Sequence, residues 1–110
     1  MTVQQIAETL KLKVFSGESG LNKEVHGAYV SDLLSDVMGN AIEGLIWVTL
    51  QAHKNVMAVA SLKDLSAVVI VKGIEPDSEM VTKSNEEGIP VLGTDNNTFE
   101  MSGKLYKLIV

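Results

Sequence analysis

At 110 residues, 45% of them hydrophobic, the chain is long enough for one core and too short for a catalytic domain with a second domain beside it. Its formal net charge is -5 and all nine basic residues are lysines scattered along the chain, so the bidentate arginine chemistry that reads phosphates and base edges is missing and nucleic acid is not an expected partner. Without cysteine there are no disulfides, thiolate nucleophiles or cysteine metal sites. Without a leader or a run of about 18 apolar residues, the expectation is a soluble cytoplasmic protein with no membrane partner.

The first predicted element is a helix capped by Thr2, with Val3, Ile6, Ala7 and Leu10 on one face. Lys13-Val14-Phe15 reads as a short strand, and the serines and glycines from Ser16 to Gly20 read as a turn. Alternation over Glu24 to Val30 predicts another strand with His26 in its middle. A short helix follows, capped by Ser31 or Asp32, with Leu33, Leu34, Val37 and Met38 facing inward and Gly39-Asn40 as its stop.

Leu45 to Leu50 is a continuous apolar run, too short for a helix and rich in β-branched and aromatic residues. It reads as a strand buried on both faces. Lys54 to Leu62 has helical spacing and Ala67 to Val71 is a second apolar strand, completing a β-α-β unit whose strands must be parallel and joined right-handedly. Beyond Gly73, Glu75-Pro76-Asp77 starts a helix with Met80, Val81 and Ser84 inward and Gly88 at its end. Ile89 to Gly93 is the last strand. Asn97 or Thr98 caps a final helix with Phe99, Leu105, Tyr106 and Ile109 as predicted buried positions. This alternation predicts one domain over residues 1–110, a three-layer α/β/α sandwich with a largely parallel sheet of about five strands.

In such sheets ligands sit off the carboxyl ends of the strands at a topological switch point. Four polar clusters fall there: Ser31, Asp32, Ser35 and Asp36; Thr49, Gln51 and His53; Thr94, Asp95, Asn96 and Thr98; and Lys72 with Gly73. Asp32 and Asp36 on adjacent turns can hold Mg²⁺ through oxygens and waters, but helix capping and a solvated face account for them more simply. His53 can carry a proton, although a lone histidine beside a helix start is more often an ordinary hydrogen-bonding residue. The third and fourth clusters fit turn chemistry as well as backbone contact with a polar ligand. The dinucleotide glycine motif, the P-loop and the nucleophile elbow are all missing, so no catalytic residue, metal or cofactor is predicted.

The ordered pattern Val3, Ile6-Ala7, Leu10 to Val14, Gly17, Leu21 and Glu24 to Asp32 resembles the start of the N-terminal domain of HPr kinase/phosphorylase. Val48 to Val56, Ala67 to Gly73 and Gly88 to Thr94 with Thr98-Phe99 resemble the DRTGG domain, so the likeness covers nearly the whole chain. The Asp-Arg-Thr-Gly-Gly string itself is missing, and the turn after the central strand reads Leu50-Gln51-Ala52-His53. The resemblance implies an HPr kinase N-terminal-like α/β fold and a regulatory or dimerising role beside a partner enzyme. It implies no kinase activity, because the kinase's phosphate loop belongs to another domain.

Two functional expectations follow. The first is a non-catalytic regulatory or ligand-sensing module that forms a homodimer, because the helix Asn55 to Leu62 is apolar nearly all round: one side can cover the sheet, and the other needs a partner surface unless another helix of the chain covers it. The alternative is a small-molecule or nucleotide-binding protein whose crevice is lined by Ser31, Asp32, Thr49, Gln51, His53 and Thr94.

Overall fold

The computed structural model describes Met1–Val110 and is a three-layer α/β/α sandwich. In chain order the elements are α1 (Val3–Leu10), β1 (Lys13–Ser16), a 3-10 turn (Glu18–Gly20), β2 (Gly27–Val30), α2 (Leu34–Asn40), β3 (Leu45–Thr49), α3 (Lys54–Leu62), β4 (Ala67–Ile70), α4 (Ser78–Glu87), β5 (Val91–Gly93) and α5 (Thr98–Ile109). The sheet order is β1-β5-β4-β3-β2, with β2 to β5 parallel and β1 antiparallel on the edge.

Sequential parallel strands explain the layers. Each step from β2 to β5 moves one place in the same direction, so right-handed crossovers put α2, α3 and α4 on one face. Val37, Val56, Met57, Ala60 and Met80 accordingly pack there against Trp47, Val68, Ile70 and Val91. The other face, carrying Ile46, Val48, Val69 and Leu92, is left to Val3, Ile6 and Ala7 of α1 and Met101 and Leu105 of α5. Two helices thus cover what three cover opposite, and Val30 at the β2 end stays 45% exposed.

Several sequence expectations are corrected. Of the two coverings open to α3, the chain's own helices supply the second, because α2 and α4 flank it in the same layer, and among its large apolar side chains only Leu62 projects far into solvent. Strand β2 begins at Gly27, while Glu24 makes an isolated bridge to Thr2 and His26 precedes the strand, its ring against Gly44. Leu33, in extended backbone, takes the cap position of α2 without a side-chain bond. Of the four residues expected inward there, Val37 is buried, whereas Leu33 is 63% exposed.

In α5 the cap at Asn97 sets the helical phase so that Met101 and Leu105 point at the sheet. Phe99 and Tyr106, one heptad apart, therefore fall together on the outer side, 88% and 70% exposed. Because β2 to β5 never reverse direction, there is no switch point among the parallel strands. The polar strand ends form a rim in place of one central crevice.

Candidate functional site

Where β2 and β3 end, four of the six expected residues, Asp32, Thr49, Gln51 and His53, form one hydrogen-bonded group, and Ser31 precedes Asp32 in the same loop. Asp32 follows β2 and its Oδ1 accepts from Thr49 Oγ1 at 3.0 Å and from the Leu50 backbone N–H at 2.9 Å. Thr49 is fully buried, so that carboxylate satisfies a hydroxyl water cannot reach. Gln51 Nε2 donates to the Asp32 carbonyl at 3.1 Å, and Gln51 Oε1 accepts from His53 Nε2 at 3.0 Å. Ser31 Oγ accepts from the Leu33 N–H, while the Ser31 carbonyl accepts from Trp47 Nε1 at 2.8 Å. The group ties the loop after β2 to the loop after β3.

Thr94 stands apart. Thr49 is in register with Ile70 and Ile70 with Gly93, so Thr94 lies two strands away, about 10 Å across the sheet. It belongs to a separate depression of about 410 Å³ beside β1. The Thr94 carbonyl accepts from the Gly73 N–H and the Asn96 carbonyl from the Lys72 N–H, which merges the third and fourth polar clusters into that one place.

The two carboxylates considered for a cation are divided. Asp32 turns to β3, whereas Asp36 accepts from the Tyr29 hydroxyl at 3.0 Å on both oxygens and from Asn40 Nδ2 at 3.0 Å. The Ser31 hydroxyl, and after it that of Tyr29, hold the Asp36 carboxyl below the usual carboxylate range. Ser31 Oγ lies 3.5 Å from the Leu33 carbonyl oxygen, a long approach that leaves its hydroxyl free to turn toward Asp36. Burial, then the bond to Asp36, pushes the Tyr29 phenol above its ordinary value.

The signs give a pH test. Asp36, with its folded value depressed, contributes stability above the unfolded carboxylate range and loses it as pH falls through the folded value. Tyr29, with its value raised, contributes below the unfolded phenol range near 10 and loses it as pH rises through the folded value. Urea unfolding of Tyr29→Phe and wild type should differ most on the neutral plateau, with the gap closing below about pH 4 and above about pH 10. Curves that stay parallel at all pH values would mean this pair does not couple.

Sequence reasoning missed Tyr29, Asn40 and the outer flank of α5. Tyr29 and Asp36 sit on different elements, so no local spacing announces them. On the under-covered face, Gly27, Ala28 and Val30 floor a groove of about 520 Å³ walled by Phe99, Tyr106, Ile109 and Val110.

A mainly parallel five-stranded sandwich with polar groups gathered on its strand-end loops defines a small α/β module built to present a rim and a helix face. The chain belongs to the DRTGG domain family, whose pattern it matches over residues 5–108. Its fold is similar to a crystal structure of the CBS and DRTGG domains of the regulatory region of Clostridium perfringens pyrophosphatase, complexed with the activator diadenosine tetraphosphate. The two are 17% identical with a TM-score of 0.71, and the likeness covers 94% of this chain and 45% of that one. The chain thus spans less than half of that structure. No curated protein matches the sequence.

Proposed function

We propose that this chain is a non-catalytic regulatory module that acts in the cytoplasm, self-associates as a symmetric dimer and senses a small ligand at its strand-end rim on behalf of a partner enzyme. The observation that carries self-association is the groove between β2 and α5, where Val30, Phe99, Tyr106 and Val110 leave large apolar side chains exposed together. Contiguous apolar surface of this kind marks interaction sites, and an edge strand with one unpaired side lies next to it. A two-fold axis there would bring each copy's α5 onto the bare β2 end of the other.

The regulatory part is supported by family membership and by the setting of the similar DRTGG domain, in the regulatory region of a pyrophosphatase crystallised with a nucleotide activator. The non-catalytic part is supported by the rim itself, where Asp32, Thr49, Gln51 and His53 are hydrogen-bonded to one another. Sedimentation equilibrium tests the self-association. Wild type should behave as a dimer at micromolar concentration, and the Phe99→Glu/Tyr106→Glu pair, which places charge on exposed positions, should weaken association about a hundredfold or more while keeping the folded circular dichroism spectrum. A monomeric wild type would overturn it. Ligand sensing is tested by thermal shift against nucleotides and phosphorylated metabolites, where binding at 100 times the dissociation constant adds about 2.7 kcal/mol.

A further inference from the structure

We infer that the depression beside Thr94 is a binding site for a phosphate-bearing small molecule held by Lys11, Lys13 and Lys104. This deepens the ligand-sensing part of the reading above and is independent of self-association. In a chain with fourteen acidic and nine basic residues, lysines from three separate elements line this one depression. Lys11 comes from the left-handed C-cap of α1, Lys13 opens β1 and Lys104 projects from α5. Antiparallel pairing puts Lys13 opposite Gly93, at the end of β5 where Thr94 follows.

None of these ammonium groups is engaged in an ion pair. The ion pairs of the molecule join Met1 to Glu24, Lys54 to Glu79 and Lys83 to Glu86, and none involves the three lysines. Glu75 and Asp95 also line the depression, yet Lys104 Nζ donates to the neutral Asn96 Oδ1 at 2.8 Å and Lys13 Nζ sits 4.8 Å from the centre of the Phe15 ring. The three ammonium groups outnumber the two carboxylates of the lining and pair with neither, and a compact anion among them takes up that excess positive charge. Lysine binds phosphate as a point charge without needing the planar fork of arginine, which suits a chain with no arginine.

The floor supports the same reading. The Phe15 ring lies where any Cβ on Gly93 would be, so only glycine leaves room for it there. The ring thereby holds the Lys13 ammonium in place through its negative face.

Titration of the ¹⁵N-labelled chain with inorganic pyrophosphate at fixed ionic strength tests this. Saturable shifts are expected at the amides of Gly73, Gly93, Thr94 and Asp95. The Lys13→Gln/Lys104→Gln pair should weaken binding about tenfold or more, while Lys63→Gln/Lys107→Gln, an equal charge change elsewhere, should weaken it about twofold or less. Lys13, Lys104 and Lys107 are exposed and Lys63 is half-buried at the end of α3, so both pairs should fold, which the remaining spectrum verifies. Shifts that fail to saturate, or an equal loss in both pairs, would overturn the site. A positive thermal shift with some other compound in that event would leave sensing at the Asp32 end standing.

Discussion

Replacing Trp47 with alanine is expected to remove about 3–5 kcal/mol of stability, enough to unfold much of a domain of this size at physiological temperature. Trp47 lies in β3, between β2 and β4, and is fully buried against the α2-α3-α4 layer. Its loss would open a large cavity among side chains held by strands on both sides, which restricts collapse into the space. The indole also donates to the Ser31 carbonyl, so the substitution would strip the Asp32 loop of an anchor from below. Chemical denaturation should show a lower midpoint with an unchanged slope. Trp47→Phe should recover most of the packing and leave the Ser31 carbonyl unpaired. A loss below about 1 kcal/mol for the alanine variant would mean that β3 is not the packed centre of the sheet.

Gly17→Ala is expected to lose about 3 kcal/mol from two additive causes. Gly17 has φ of 72°, a left-handed conformation that disfavours any side chain, and a Cβ there would overlap the Ile89 carbonyl oxygen. Neither backbone can easily yield. The Gly17 N–H donates to Asn85 Oδ1 at 2.8 Å, and beside it Ser16 Oγ donates to Ser84 Oγ at 2.8 Å, which in turn donates to the Ile89 carbonyl at 2.6 Å. These bonds clamp the end of the antiparallel edge strand to the α4-β5 junction, so displacement of one loads the other. Thermal denaturation should place this variant well below Gly103→Ala, where a Cβ meets open space. Equal melting temperatures for the two would contradict the clamp.

The unit β3-α3-β4 is legible in the chain because strands covered on both faces appear as unbroken apolar runs, Leu45 to Leu50 and Ala67 to Val71. Caps with a local mechanism are legible too: Thr2 and Asn97 each accept from a backbone N–H three residues on. Whatever depends on which element lies beside which is hidden. The largely apolar α3 looks like a surface in search of a cover until α2 and α4 are seen on either side. Phe99 and Tyr106 look like core residues because they are large and apolar; the helix phase, set by Met101 and Leu105 facing the sheet, turns them outward. The same holds for the rim. Local reading assembles Ser31, Asp32, Thr49, Gln51 and His53 because their loops leave neighbouring strands, but only the strand order removes Thr94 from them. The lysine depression was beyond local reading altogether, since Lys11, Lys13 and Lys104 meet only when β1 turns back along β5.

Hydrogen exchange across a dilution series probes both the existence and the place of self-association. Amides of Gly27–Val30 and the outer face of Thr98–Ile109 should lose protection as the chain is diluted from high to low micromolar concentration, while those of Lys54–Leu62, covered within one copy, stay constant. Protection at β2 and α5 that does not change with concentration, or a change confined to α3, would contradict the dimer placed on that face.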